Sequence, residues 1–229
     1  MSRPAESIRS YFNATHSLLY SYLISLPLLL LYEVLIFVSQ PNSDQVVRIS
    51  VDVWIKTLFS YLGKDLLSIT LIIVALLGIF VLYRERDRLK TLRFSYFMTM
   101  LAEATIYAFF LALLISETIE GLLQMAVQNP IDSLSVLQQI ALSLGAGLYE
   151  ELFFRVLLVS ALLYLTQWII DKKWLASATA MVIAALIFSG VHYIGVFGDP
   201  FTVGTFLFRF LFGLALNGIY IYRGFGMAA

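Results

Sequence analysis

Long apolar windows separated by short polar segments dominate the pattern of this chain. A helix needs about 20 residues to cross ~30 Å of hydrocarbon, and six windows come close to or exceed that length. They run from Leu18 to Val38, Leu66 to Tyr83, Phe94 to Ile115, Ala146 to Ile170, Leu175 to Tyr193 and Thr205 to Tyr222. The pattern predicts an all-α fold, a polytopic transmembrane helix bundle of about six spans.

The segment before the fourth window is the least clear part of this pattern. Leu134 to Ile170 is long for one span, so residues 134–144 are either an amphipathic lead-in or part of a re-entrant segment. No internal repeat and no Gly/Ser-rich or Pro-rich linker divides the chain. We therefore expect one membrane domain overall.

Composition supports a membrane protein and excludes several other classes. The chain is 60% hydrophobic and 13% charged, whereas a soluble domain is typically ~45–50% apolar and ~25% charged. Fifteen basic residues balance fifteen acidic ones, and without an extended basic tract we expect no nucleic-acid partner. The absence of cysteine excludes disulfides, thiolate metal sites and cysteine nucleophiles.

Basic residues indicate the orientation of the spans. The loop from Arg84 to Arg93 holds five of them, and such loops stay in the cytoplasm. Threading the chain from this loop places both termini inside. We expect a multi-pass integral protein of a bacterial-type plasma membrane, with a cytoplasmic N-terminus.

Ionisable residues inside the spans are the candidates for chemistry, because a charge at membrane depth is costly and usually serves a purpose. They are Glu33, Glu103, Glu150, Glu151, Arg155, His192 and Arg209.

Three of these residues lie close together on the fourth span. Glu151 and Arg155 are four residues apart, so they share a helix face and can form an ion pair. Glu150 points about 100° away, which leaves one carboxylate without a local partner, as a general base requires. The alternative is that both carboxylates lie near a helix start, where the dipole favours negative charge.

The only histidine in the predicted spans lies at the end of the fifth span. Phe188 and His192 are one turn apart, and an isolated histidine in such a place is usually a hydrogen-bonded interfacial residue. With antiparallel spans, however, Glu150 and His192 lie toward the same membrane face and can hold one water between them.

The last span combines small and polar residues. Gly213 and Asn217 share a face, which favours close packing with Asn217 as a hydrogen-bonding strut. Arg209 either snorkels to an interface or pairs with Glu103 or Glu33; the sequence leaves these alternatives open.

Two of these motifs together resemble a known family. The sequence from Glu150 and Glu151 to Arg155 on one span, followed by Phe188 and His192 on the next, is similar to the CAAX protease and bacteriocin-processing (CPBP) family of intramembrane endopeptidases. This family is also called the Abi or type II CAAX prenyl endopeptidase family. Gly213 and the stretch 217–224 resemble its third, glycine-rich motif.

The resemblance implies a protease and assigns roles to residues. Glu150 would activate the attacking water with help from His192, while Glu151 and Arg155 would hold the geometry. Members are described both as metalloproteases and as glutamate proteases, so a divalent metal such as zinc is one option, with His192 and Glu150 as its ligands. The substrate would be a hydrophobic or lipid-modified peptide.

The resemblance also divides the chain. Residues 1–95 form N-terminal membrane helices without family motifs, and residues 96–229 form the protease core. Members continue into a further helix with a His-x-x-x-Asn or His-x-x-x-Asp motif. We therefore expect this chain to be either an incomplete version of a longer protein or a member that has lost part of its site.

Orientation conflicts with the activity that gives the family its name. CAAX processing acts on cytosolic C-termini, yet the basic residues place the site toward the outer face. Either the substrate is not a cytosolic CAAX protein, or the long segment before Glu150 inverts the later spans.

Two further functions stay open. One is a catalytically inactive family member that acts as an immunity or scaffold protein. The other is a proton-coupled transporter with Glu33, Glu103 and Glu150 as a relay, although no inverted repeat supports transport.

Overall fold

The computed structural model describes residues 4–39, 51–54, 57, 66–123, 135–194 and 198–229, and every element in them is helical. The helices are α1 (Pro4–Thr15), α2 (Leu18–Ser39), α3 (Leu66–Arg84), α4 (Phe94–Leu123), α5 (Val136–Ile169), α6 (Lys173–Val191), α7 (Val203–Arg223) and α8 (Phe225–Ala228). A 3₁₀ helix, Arg86–Thr91, joins α3 to α4.

The helices that can cross a membrane agree with the sequence pattern. Within the described residues, α2, α5, α6, α7 and the part of α4 from Phe94 to Thr118 are long and apolar enough, and α3 contributes a shorter apolar helix, Ile72–Arg84. The prediction of an all-α polytopic bundle with about six spans is therefore confirmed.

Outward-facing side chains of the spans are large and apolar. Phe37 is 81% exposed and Trp168 is 84% exposed. In water such surfaces would drive association, whereas in a bilayer they contact lipid tails. The chain is an integral membrane protein.

Small residues allow the spans to approach one another. On α6, Ala176, Ala180 and Ala184 recur at every fourth position and are buried. Gly213 of α7 lies so close to α6 that a Cβ atom there would be 2.9 Å from Cδ1 of Phe188. Because lipid offers no hydrophobic drive for helix association, such close packing is what holds spans together. Asn217 adds the expected strut, since its Nδ2 donates to the Met181 carbonyl at 2.8 Å.

Helix α5 runs without a break from Val136 to Ile169. It begins at Ser135, whose side chain accepts from the backbone N–H of Gln138 in a capping box. The lead-in considered at residues 134–144 is thus, from Val136 onward, the first part of the same helix as the fourth span.

One end of the bundle gathers the basic loop and both ends of the described chain. Arg88 in the loop between α3 and α4 donates to the Asn13 carbonyl at 3.5 Å, and the backbone N–H of Arg93 donates to the Tyr20 hydroxyl at 2.9 Å. Arg223 at the end of α7 donates to the Thr15 hydroxyl at 3.3 Å. The later spans are therefore not inverted relative to the earlier ones.

Glu103 on α4 is the centre of a buried polar cluster at this end. Its carboxylate accepts from Nε and Nη2 of Arg223 at 2.8 and 2.7 Å, from the Tyr11 hydroxyl at 2.7 Å and from the Tyr107 hydroxyl at 2.6 Å. The Arg223 guanidinium also lies 4.0 Å from the Phe12 ring centroid. Burial, reinforced by the hydrogen bond to Glu103, raises the pKa of Tyr11 well above its usual range. The cluster therefore ties α1 to α4 and α7.

We expect Arg223→Gln to destabilise the bundle by about 3 kcal/mol, because it leaves a mostly buried carboxylate without its cation. Thermal unfolding of the purified protein in detergent measures this effect. Arg86→Gln, at an exposed arginine of the 3₁₀ helix, is the matched control. Equal unfolding temperatures for the two variants would contradict the importance of the pair.

Candidate active site

The central part of α5 is wound as a π-helix and carries the adjacent carboxylates. Ala146–Glu150 and Leu152–Val159 are both π-helical. A π-helix closes hydrogen bonds to the fifth residue along, and it is frequent at functional sites. Glu150 lies five residues before Arg155, which is the hydrogen-bonding period of a π-helix, and the charge of Arg155 acts on Glu150.

Glu151 and Arg155 form the ion pair that the sequence predicts. Arg155 Nε lies 3.0 Å from Glu151 Oε2, and both side chains are buried. Neither atom has a hydrogen-bond partner within the described part of the chain. The contact is therefore a close approach of opposite charges rather than an aligned hydrogen bond.

The Phe188 ring packs against the Arg155 guanidinium. The guanidinium carbon lies 4.5 Å from the Phe188 ring centroid, a cation–π contact, and the Phe154 ring packs edge-on against Phe188 with centroids 5.0 Å apart. Phe188 fits there only because position 213 is a glycine. The phenylalanine of the second motif thus links Arg155 to α7.

His192 follows directly after α6 and also packs on Phe188. Their ring centroids are 5.0 Å apart, and His192 Nδ1 is 2.7 Å from the Phe188 carbonyl oxygen. A carbonyl only accepts, so Nδ1 carries a proton and Nε2 of the neutral ring is left with its lone pair. Burial lowers the pKa of His192, with a smaller contribution in the same direction from Arg209. Nε2, rather than Nδ1, is therefore the ring atom of His192 that can accept a hydrogen bond.

Glu150 has a different environment from its neighbour. It is only half-buried, and among the described residues it takes part in no hydrogen bond or ion pair. The positive charges of Arg155 and Arg209 both act on it, and both also act on His192. Glu150 and His192 thus share the same charged surroundings, although no direct hydrogen bond joins them.

Sequence reasoning missed the pairing of Arg209. Its Nη2 forms an ion pair with Asp199, not with Glu103 or Glu33, because Glu103 is occupied by Arg223 at the other end of α7. Arg209 and Arg223 are fourteen residues apart on one helix, about 21 Å. The signal was available: Asp199 is the only acidic residue between His192 and Arg209.

The N-terminal helices also contribute to the surroundings of the site. The Tyr32 hydroxyl of α2 donates to Asp52 Oδ2 at 2.7 Å, and the Tyr32 ring lies edge-on to Tyr149 with centroids 5.5 Å apart. The Tyr149 hydroxyl reaches Glu33 Oε1 at 3.5 Å. The residue before Glu150 is therefore fixed by α2, in the part of the chain without family motifs.

The side chains around Glu150 do not form a complete zinc site. A catalytic zinc ion takes three protein ligands, and the described residues contain no group of three or more histidines and carboxylates arranged to hold a metal. Glu150 and His192 offer two ligands, while Glu151 and Asp199 are each paired with an arginine. The donors present do not fit the metal that the resemblance allows, so the chemistry below is derived from side chains.

Comparison with known proteins agrees with the motifs. Residues 132–229 match a family model described as Rce1-like, type II CAAX prenyl endopeptidase Rce1-like. The match spans Glu150, Arg155, His192 and Arg209. No curated protein and no solved structure matches the chain.

We expect Arg155→Gln to lower the stability of the bundle by about 3–5 kcal/mol, because it leaves Glu151 buried without a counter-charge. Thermal unfolding in detergent measures the loss. The double substitution Glu151→Gln with Arg155→Met removes both charges and should recover most of it. A double variant as unstable as Arg155→Gln would contradict an ion-pair origin.

Proposed function

We propose that this membrane protein is an intramembrane endopeptidase, because its residues 132–229 match the Rce1-like, type II CAAX prenyl endopeptidase family model. Its substrate is a hydrophobic or lipid-modified peptide, and the bond is cleaved by a water molecule that Glu150 and His192 activate.

The observation that carries this proposal is the difference in environment between two adjacent carboxylates. Glu151 is neutralised by Arg155, whereas Glu150 is half-buried and has no counter-ion in contact among the residues that the structure describes. A carboxylate in such a place can take and return a proton. A helix-capping role for both residues does not account for this difference, because they lie in the middle of α5 rather than at its start.

In the proposed hydrolysis, Glu150 and His192 are the two proton acceptors. One hydrogen of the water bonds to Nε2 of His192, and the other is transferred to Glu150 as the water oxygen attacks the peptide carbonyl carbon. The carbonyl oxygen becomes negative in the field of Arg155 and Arg209. Glu150 then gives its proton to the amide nitrogen, the C–N bond breaks, and a new carboxyl group and amine leave.

One of the three carboxylates that the transport alternative requires, Glu103, is unsuited to a proton relay. Glu103 accepts hydrogen bonds from Arg223, Tyr11 and Tyr107, so its charge is held by a fixed partner. A relay needs a carboxylate that exchanges its proton, and the ion pair opposes protonation of Glu103. An inactive scaffold protein is the alternative that the first experiment below decides.

The side of the membrane on which the site opens is also part of the proposal. His192 and Arg209 lie far along the bundle from the basic loop between α3 and α4, with about 21 Å of α7 between Arg209 and Arg223. Because basic loops stay in the cytoplasm, we infer that the N-terminus is cytoplasmic and the site lies toward the outer face of a bacterial-type plasma membrane. The substrate is then a peptide reached from that side.

We expect Glu150→Gln and His192→Gln each to reduce cleavage of a quenched hydrophobic peptide by about 10²–10⁴-fold, the range for loss of a proton-transfer group. The assay uses purified protein in detergent. Glu117→Gln and His16→Gln, at an exposed carboxylate and the other histidine, are matched controls and should keep wild-type rates. No cleavage by the wild type, or equal cleavage by all variants, would reject the proposal.

Single cysteines test the orientation, since the chain has none of its own. Lys90→Cys lies in the basic loop, and Ile194→Cys lies near the site at a residue that is 74% exposed. We expect an impermeant thiol reagent to label Ile194→Cys in intact cells and Lys90→Cys only after permeabilisation. The reverse result would place the site on the cytoplasmic side.

A further inference from the structure

The Asp199–Arg209 ion pair adjoins the backbone of His192, because the backbone N–H of Asp199 donates to the His192 carbonyl oxygen. We propose that Asp199 and Arg209 are positioning residues that fix His192 relative to Glu150. This inference rests on the proposed function for its catalytic consequence, but the geometric link stands on contacts that no family motif includes.

Asp199 has two separate links to this part of the site. Its backbone N–H donates to the His192 carbonyl oxygen at 2.9 Å, and its carboxylate is paired with Arg209 Nη2. One residue thus connects the backbone of His192 to the first half of α7. Position 198 must be small for this, because a Cβ there would lie 2.8 Å from the Tyr193 carbonyl carbon.

Tyr193 provides a second connection between the same two elements. The Arg209 guanidinium carbon is 5.1 Å from the Tyr193 ring centroid, and the Tyr193 hydroxyl donates to Thr205 Oγ1 at 2.8 Å. His192, through Asp199, and Tyr193, through its own side chain, are therefore both linked to α7. The placement of this backbone helps to position the imidazole, whose Nδ1 also contacts the Phe188 carbonyl oxygen.

Arg209 of α7 also places a positive charge near both proposed proton acceptors. Its charge acts on Glu150 of α5 and on His192 after α6. Its Nη1 is enclosed and has no hydrogen-bond partner within the described residues, so the guanidinium is held from one side by Asp199. A small movement of Arg209 would change the surroundings of both acceptors together.

The pair is unsuited to a purely stabilising role. Asp199 and Arg209 are partly exposed, and exposed ion pairs add little to the stability of a fold. Their removal should therefore leave the unfolding temperature nearly unchanged while it releases His192. This separates a positioning role from the role of the buried Glu151–Arg155 pair.

Cleavage kinetics provide the first test. We expect Asp199→Asn and Arg209→Gln each to lower kcat by about 10–100-fold with little change in KM, because small misplacement of a catalytic group costs up to about 10²-fold. The double variant should be no slower than the slower single variant, since each removes the same link. Arg209→Lys, which keeps the pair, should recover most of the rate, and Arg86→Gln is the control. Multiplying losses in the double variant, or wild-type kcat in Arg209→Gln, would overturn the proposal.

A spin label provides a test that needs no catalysis. A nitroxide at Ile194→Cys reports the mobility of the turn after His192, and one at Trp168→Cys, near the end of α5, is the control. Asp199→Asn and Arg209→Gln should both narrow the electron paramagnetic resonance lines of the label at position 194, because the turn becomes more mobile. The lines of the label at position 168 should stay unchanged. An unchanged spectrum at position 194 would overturn the positioning role. If the wild type cleaves no peptide, the proposed activity fails, and the spectrum still decides whether the pair fixes the turn.

Discussion

The ion pair between Glu151 and Arg155 is the interaction on which the site depends. A guanidinium buried in the middle of a membrane bundle needs a counter-charge, and Glu151 supplies it at 3.0 Å. The same guanidinium lies on the Phe188 ring, which also carries His192. One neutralised charge therefore links α5 to α6, and among the described residues it leaves Glu150 without an ion-pair partner.

The same requirement explains how the rest of the bundle is arranged. At the end with the basic loop, Glu103 and Arg223 neutralise each other and tie α1, α4 and α7 together. Near the other end of α7, Arg209 is matched by Asp199. The Glu103–Arg223 pair joins helices that are far apart in sequence, and the Asp199–Arg209 pair joins the segment before α7 to that helix. Charges that would be costly in lipid thus contribute to how the helices meet.

How much the sequence predicts depends on the range of each interaction. The spans follow from local hydropathy, and the Glu151–Arg155 pair follows from a spacing of four residues, so both could be read directly. The partner of Arg209 could not, because it depends on which ends of helices come together after packing. The π winding of the helix around Glu150 was not predicted either, since a periodicity of 3.6 residues was assumed.

The π-helical winding of residues 146–159 makes the site sensitive to the number of residues as well as to their identity. A π turn holds one residue more than the α-helical ladder needs, so losing a residue here would let the helix relax and rotate Glu150 relative to Arg155. The geometry of the site therefore depends on the number of residues in this segment. Substitutions do not change that number, whereas single-residue deletions do and would test this dependence.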